Sequence, residues 1–195
     1  MSELLDQLRE LFDSGDTENL AARCKDALES APGDLSLLSY SAYATIAETL
    51  RIYQKGADEL YIKTSNKGAR SFISRIVLGR DEFYTDSIHE RYYADIEKAI
   101  DELYLALERM PAEEPLRAVL AASAVRKVLK AAPRDRREMR FLLSADDGFI
   151  LKLLPFCNKE DLTAIRDEYL WEYPKKWDRL PNQEQLLKTI AGLLK

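Results

Sequence analysis

Few side chains in the sequence have the types and spacing that catalysis or metal binding requires. His89 is the only histidine, so the chain has no histidine pair and no histidine–cysteine zinc set. It lies in the charged stretch 88–91, which predicts a solvated surface residue rather than a general base. Cys24 falls on an apolar helix face and is predicted to be a small buried hydrophobe rather than a nucleophile. We therefore predict no metal, no cofactor and no catalytic residue.

The absence of phosphate-binding and cation-binding motifs leads to the same prediction. Neither Gly-x-x-x-x-Gly-Lys nor Gly-x-Gly-x-x-Gly occurs in the chain. The run Asp146-Asp147-Gly148 lacks the later carboxylates of an EF-hand loop, so we expect a turn there. An enzyme whose all-helical active site uses carboxylates and tyrosines therefore ranks last among our functional hypotheses.

Tyrosine is unusually frequent, because the chain contains ten. Several tyrosines lie near a basic segment, and tyrosine and arginine are enriched where proteins bind partners. The alternative is that most of these rings fill gaps between helices, with their hydroxyl groups reaching the surface. The candidate binding residues are Tyr40, Tyr43, Lys55, Tyr61, Lys63, Arg70, Arg75 and Tyr84.

The net charge of −5 is unevenly distributed along the chain. Residues 51–80 and residues 126–140 each contain seven basic and two acidic side chains. Acidic side chains dominate residues 1–50, ten against three, and residues 81–125, eleven against four. The two basic blocks make nucleic-acid or phosphate binding the alternative function if they form one patch. The overall acidity disfavours nucleic acid as a partner without ruling it out.

The elements that position these residues are predicted to be helices. Apolar residues recur at helical spacing, and glycine and proline number only seven each, too few for an all-β chain with frequent tight turns. Short connections at Gly15 and at Pro32-Gly33 predict antiparallel helix pairs, with Asp16 or Thr17 capping the second helix. The third helix is apolar around much of its circumference, which predicts contacts on two sides. The predicted helices cover residues 3–13, 17–31, 35–53 or beyond, 57–64, 69–78, 86–110, 115–131, 134–143, 149–156, 159–173 and from 182 onward.

The length of 195 residues suits one helical domain that needs no disulfide or metal for stability. Residues 134–148 are a candidate sub-boundary, and residues 174–195 are predicted to form a linker followed by a capping helix. No run approaches the roughly eighteen apolar residues that a membrane span needs. Residues 1–10 are acidic and lack the basic-then-apolar order of a signal peptide, so we expect a cytoplasmic protein.

Two segments of the chain end in the same pattern, Ala-Leu-Glu-x-x-Pro. The first covers residues 15–32, the second covers residues 95–111, and residues 128–133 form a poorer echo. These segments resemble the second helix of a tetratricopeptide repeat, in which a glycine turn, small residues and a final proline recur. Pro32 and Pro111 are 79 residues apart, which is not a multiple of the family's period of about 34 residues. The resemblance therefore implies an interrupted stack of antiparallel hairpins, either an α-solenoid or an irregular helical bundle.

The match to the repeat is partial. In the first segment Gly15, Ala27 and Pro32 fit the repeat, whereas Cys24 stands in the place of its aromatic residue. Small residues at such positions let two helix backbones approach closely, and proline cannot continue the helix. Two ordinary helix ends of similar composition would give the same short pattern.

The resemblance implies binding rather than catalysis, because tetratricopeptide repeats present a concave groove to peptides or partner helices. Some members clamp a terminal carboxylate with basic groove residues. The corresponding positions here hold Leu5, Arg9 and Tyr40, so only one of them is basic. We predict a protein-interaction module, a scaffold or chaperone-like adaptor, whose partner is another protein or a peptide. Homo-oligomerisation through the last helix is a further hypothesis, and that helix could equally cap the core.

Overall fold

The computed structural model describes residues 2–65, 80–131, 150–172 and 181–195, with side chains for residues 3–52, 94–130, 150–170 and 184–195. Over these ranges the fold is all-α, as predicted, and no strand is present. The α-helices are α1 (Ser2–Ser14), α2 (Thr17–Ser30), α3 (Leu35–Ser65), α4 (Arg80–Arg109), α5 (Pro115–Ala131), α6 (Lys159–Glu172) and α7 (Pro181–Leu193), and a 3-10 helix covers Leu151–Phe156.

The turn between α1 and α2 consists of Gly15 and Asp16. Gly15 adopts the left-handed backbone with a φ of 75°, which glycine reaches without the clash that a Cβ atom would cause. Asp16 then caps α2, because its carboxylate accepts a hydrogen bond from the Asn19 backbone N–H at 3.2 Å. This short connection folds α2 back against α1, as predicted.

The long helix α3 lies at the centre of the packing. Asp34 caps it by accepting a hydrogen bond from the Leu37 backbone N–H at 3.0 Å. Along its length α3 contacts α1, α2, α4 and α5, so the prediction that it packs on more than one side is confirmed. A polar contact reinforces the α2–α3 interface, where buried Thr17 donates a hydrogen bond to Glu48 and Arg51 pairs with the same carboxylate at 2.8 Å.

Two predicted boundaries in the middle of the chain are wrong. The helix α3 continues unbroken to Ser65, so the separate helix predicted over 57–64 does not exist. Gly56 lies inside α3, because one glycine costs a helix only about 1 kcal/mol and the packing of α3 against α4 offsets that cost. The helix α4 begins at Arg80 rather than at residue 86. Outside the described residues lie the predicted helices over 69–78 and 134–143, the turn at 146–148 and the linker at 174–180.

The apolar run that ends at Phe156 is helical, as predicted, but it forms a 3-10 helix rather than an α-helix. Pro155 lies inside it and lacks the N–H group that a continuing α-helix would use. Asn158 then caps α6 by accepting a hydrogen bond from the Asp161 backbone N–H at 2.7 Å. The 3-10 helix contacts α4, α5 and α7, and α6 contacts α5 and α7. These later elements therefore cover part of α5.

One apolar cluster includes buried residues from every described helix. Cys24 is fully buried in it, which confirms the prediction that this thiol is a core residue. The largest fully buried side chains are those of Leu8, Leu20, Leu37, Ile46, Ile96, Ile100, Leu103, Leu107, Leu120 and Ile150.

Candidate functional site

A cleft of about 320 Å³ lies where α1, α3 and α5 come together. Ser36 and Pro115 both line it, so the first turns of α3 and α5 lie side by side. Further along, Lys127 acts electrostatically on Glu48, so these two helices run in the same direction. We call this site the α1–α3–α5 cleft. It is lined by Leu5, Asp6, Arg9, Phe12, Asp13, Ser36, Tyr40, Glu114, Pro115, Leu116 and Val119.

Aromatic rings form a fixed wall of the cleft. The Phe12 ring packs edge to face against Tyr40, with 5.9 Å between ring centroids, and against Tyr43 at 4.9 Å. Tyr40 is only 3% exposed although it lines the cleft, whereas Tyr43 is buried behind Phe12 and is not a lining residue. Because core packing holds these rings in place, the wall keeps its shape before any ligand arrives.

The hydroxyl group of Tyr40 is a proton donor at neutral pH. Burial raises the pKa of Tyr40 above its ordinary value, and the carboxylates of Asp13 and Glu114 raise it further, although Arg9 partly opposes them. Among the side chains that the structure describes, none makes a hydrogen bond with this hydroxyl. A ligand in the cleft can therefore accept a hydrogen bond from Tyr40.

The charges around the cleft do not balance. Asp6, Asp13 and Glu114 contribute three carboxylates, and Arg9 contributes the only guanidinium group among the lining residues. Arg9 lies 3.9 Å from Asp13, so its charge is already partly matched. Asp6 and Glu114 have no ion pair with any side chain in the described ranges. The cleft therefore has an excess of negative charge, and two of its carboxylates lack a cationic partner among the described side chains.

The apolar part of the lining comes mainly from α5. Pro115 and Leu116 lie in its first turn, and Val119 is 43% exposed, which is high for a valine in a helical bundle. On α1, Leu5 contributes from the facing wall. Apolar surface and carboxylates are thus combined in one concavity, which is typical of sites that bind ligands with both apolar and polar groups.

Acidic groups also occupy the helix N-termini beside the cleft. The Asp34 carboxylate caps α3, and the Glu114 carboxylate lies 3.4 Å from the backbone nitrogen of Leu116 in α5. The N-terminus of a helix attracts anions through its free N–H groups and its dipole. Here side chains of the chain already supply that negative charge, so the cleft is poorly suited to a phosphate or a carboxylate ligand.

The predicted site residues fall into three groups. Tyr40 lines the cleft and Tyr43 supports it from behind. A second group has a described backbone but no described side chains: Lys55, Tyr61 and Lys63 on α3, and Tyr84 on α4. Arg70 and Arg75 lie entirely outside the described residues. The residues that sequence reasoning missed are Asp6, Phe12, Asp13, Glu114 and Val119.

Part of that missed group has a signal in the sequence. Asp6 and Asp13 are seven residues apart, so they lie on the same face of α1, beside Arg9. Glu114 gives no such signal, because its place opposite α1 follows only from the way α5 packs on α3.

Several basic residues of the two basic blocks are already paired within the described part of the chain. Arg51 pairs with Glu48 at 2.8 Å. In the second block Arg126 lies 3.1 Å from Asp161, and Lys130 lies 3.7 Å from Glu168. Carboxylates of the chain therefore already match the charges of these three basic residues.

The described residues also contain no group of three or more histidine, cysteine or acidic side chains that could hold a metal ion. Among the described helices, none has the length and apolar character needed to cross a lipid bilayer. Burial raises the pKa of the Cys24 thiol to about 11 and that of Cys157 to about 12, so neither is a ready nucleophile at neutral pH.

Comparison of the chain with protein-family models, with curated proteins and with solved structures finds no match to any of them. The function is therefore inferred from the cleft and its residues.

Proposed function

We propose that the chain is a protein-interaction module, a scaffold or adaptor, which binds a segment of a partner protein in the α1–α3–α5 cleft. The observation that carries this proposal is the exposed, apolar and partly charged concavity set against a fixed aromatic wall. A partner segment that covers this concavity would remove apolar surface from water, which favours binding.

The size of the cleft favours a peptide segment over a large rigid ligand. A volume of about 320 Å³ has room for a few side chains of a partner. It lies along the helices α1 and α5, whose side chains form its two walls. Helical grooves bind partner segments in this way, with pockets for selected side chains and a polar rim.

The arrangement of the helices supports a binding groove built from stacked hairpins. In this chain α1 and α3 are the first helices of two successive hairpins, α5 follows the second hairpin, and all three line the cleft. The long α3 lies between the two segments with the Ala-Leu-Glu-x-x-Pro pattern, the second segment begins within α4, and the length of α3 and α4 extends the second hairpin.

The location that we propose is the cytoplasm. Both cysteines are free, Cys24 is buried and Cys157 is partly buried. Thiols that are used as packing residues rather than as disulfides suit a reducing compartment.

Substitution of Val119 tests this function. Arginine at position 119 would fill the cleft with a long charged side chain, whereas its Cβ position stays on the exposed face of α5 and leaves the core intact. Leu105 offers a matched control, because it is an apolar residue of α4 that is 55% exposed and does not line the cleft. Immobilised unchanged chain, Val119→Arg and Leu105→Arg are each incubated with cell extract, and the bound proteins are identified by mass spectrometry.

We expect one or more proteins to bind the unchanged chain and Leu105→Arg but not Val119→Arg. The same set of proteins on all three chains would show that the cleft is not the binding surface. Circular dichroism of the three chains checks that each one is folded.

A further inference from the structure

We infer that the segment bound in the α1–α3–α5 cleft is basic, with lysine or arginine next to apolar residues. This inference rests on the proposed function and specifies the chemistry of the partner. Three observations support it: Asp6 and Glu114 in the cleft lack an ion pair among the described side chains, acidic groups already occupy the N-termini of α3 and α5, and α6 covers the C-terminal half of the α5 face that carries Val119.

The unpaired carboxylates come from two different walls of the cleft. Asp6 is on α1 and Glu114 directly precedes α5, and Tyr40 of α3 lines the cleft with them. A cationic side chain entering the cleft meets negative charge from both walls, and Tyr40 can donate a hydrogen bond to a backbone carbonyl beside it. The apolar neighbours of that cation in the partner would contact Leu116 and Val119.

The same face of α5 is covered further along by an element of the chain itself. Val119 and Arg126 are seven residues apart and thus lie on one face of α5, and Lys130 follows one turn later. There α6 packs against α5, and its carboxylates Asp161 and Glu168 pair with those two basic residues. The covered half of the face is basic and the helix that packs on it, α6, presents carboxylates, so the two surfaces are complementary in charge.

The uncovered half of this face has the opposite charge. Glu114 lies at its start, and Asp6 and Asp13 face it from α1. By the same complementarity, a basic segment is the occupant that fits. An acidic segment or a chain-terminal carboxylate would be repelled by these groups and would find the ends of α3 and α5 already capped by Asp34 and Glu114.

A selection from a displayed library of random peptides tests this chemistry with the full chain as bait. Unchanged chain is used for enrichment, and binders that also bind Val119→Trp, which fills the cleft without adding charge, are removed. We expect the remaining sequences to be enriched in lysine or arginine next to apolar residues and depleted in aspartate and glutamate. Enrichment of acidic sequences, or of sequences that need a free terminal carboxylate, would overturn the inference.

A pair of double variants then measures the role of charge with one selected peptide. Asp6→Asn combined with Glu114→Gln removes the two unpaired carboxylates of the cleft. Glu10→Gln combined with Glu113→Gln is the matched control, because both residues are exposed, each lies near a cleft residue in sequence, and neither lines the cleft. Both variants change the net charge of the chain by the same amount.

We expect the cleft variant to bind the peptide about fivefold more weakly, as the loss of two partly exposed charge contacts implies. The control should change affinity by less than about twofold, because these exposed carboxylates do not line the cleft and solvent screens them from a bound peptide. Raising the salt concentration should weaken binding to the unchanged chain more than binding to the cleft variant. Equal effects of the two variants would show that local charge in the cleft does not select the peptide.

The outcomes separate the two proposals. Peptides that depend on Val119 but are indifferent to Asp6 and Glu114 would overturn the basic partner and leave the binding function standing. A selection that yields no peptide dependent on Val119 would overturn both. A dimer in sedimentation equilibrium that dissociates in Val119→Arg would assign the cleft to a second copy of the chain and overturn the basic segment as its occupant.

Discussion

The two halves of one face of α5 differ in how their charges are satisfied. In the C-terminal half, Arg126 and Lys130 pair with carboxylates of α6, and the space left between the helices is only about 40 Å³. In the N-terminal half, the cleft of about 320 Å³ combines exposed Val119 with carboxylates that have no ionic partner among the described side chains. We call the first region the α5–α6 seam.

This difference shows how a folded chain distinguishes packing surfaces from candidate binding surfaces. At the seam, apolar contacts and opposite charges are matched within the chain, so no ligand is needed. At the cleft, the apolar surface and the charge are both uncompensated, and neither is required to hold the core, because Leu120 and its neighbours are buried beneath. Substitutions that weaken the seam and the cleft separately therefore test whether the two regions differ in this way.

The largest effect is expected from the core beneath both regions. Leu120 is fully buried in α5, so Leu120→Ala should lower the free energy of unfolding by about 2–5 kcal/mol through lost apolar contacts and a cavity. Val119→Ala is the neighbouring control and should change that free energy by less than about 0.5 kcal/mol, because Val119 is exposed. Urea unfolding followed by circular dichroism measures both. Similar losses for the two variants would place Val119 in the core and contradict the open cleft.

The reactivity of the two thiols compares how readily the seam opens with how readily the core around α2 opens. Burial raises the pKa of Cys24, in α2, to about 11. Burial raises the pKa of Cys157 to about 12, with the Asp161 carboxylate adding to it and Arg126 partly opposing it, so this thiol reports on the seam. At pH 8, Cys24 should react with iodoacetamide on the order of a hundredfold more slowly than in the unfolded chain, and Cys157 on the order of a thousandfold more slowly.

Mass spectrometry of labelled samples follows each thiol separately. In concentrated guanidinium chloride both thiols should react at the ordinary rate, which is the control. Fast labelling of Cys157 in the native chain would show that the seam opens spontaneously and is not a closed packing surface.

A smaller effect is expected from the ion pair at the seam. Arg126 and Asp161 are 3.1 Å apart and both side chains are partly buried. A double-mutant cycle with Arg126→Gln and Asp161→Asn should give a coupling free energy of about 0.5–1 kcal/mol. In the cleft, Asp6→Asn with Glu114→Gln should lower the free energy of unfolding by less than about 0.5 kcal/mol, because neither carboxylate has an ion pair among the described side chains and a glutamine at 114 keeps an oxygen beside the Leu116 N–H. A larger loss in the cleft than at the seam would reverse the comparison.

The smallest effect is expected from pH at the α2–α3 interface. Burial alone would raise the pKa of Glu48, but the hydrogen bonds from Arg51 and Thr17 outweigh it, so the pKa is lowered from 4.5. Because the folded pKa is the lower one, this carboxylate stabilises the fold above the unfolded value, and the contribution is lost as the pH falls through the folded value. Glu48→Gln should cost a few tenths of a kcal/mol at pH 7, because solvent screens this pair.

Urea unfolding at several pH values checks the sign of that effect. The difference between the unchanged chain and Glu48→Gln should shrink as the solution is made acidic. A difference that grows on acidification would mean that Glu48 is stabilised in its protonated form.

Elements whose signals lie within a few residues could be predicted from the sequence. The helix start at Thr17 follows from Gly15 and Asp16, and the start of α6 follows from Asn158 and its hydrogen bond to Asp161. The length of α3 could not be predicted, because Gly56 looks like a break and only the packing against α4 shows that the helix continues. Asp34 directly precedes α3 and caps it, which is a further short-range signal of a helix start.

By itself the sequence determined that the chain is helical, where several helices begin, and that Cys24 is a core residue, since helical periodicity and capping are short-range properties. Only the tertiary structure decided that Asp6 and Glu114, 108 residues apart, line one cleft with Tyr40. It also decided that the basic residues of α5 are paired with α6 while the start of the same face is open. The physical reason is that charge and apolar surface are satisfied or left free by whichever helix packs nearby, and local sequence does not specify that neighbour.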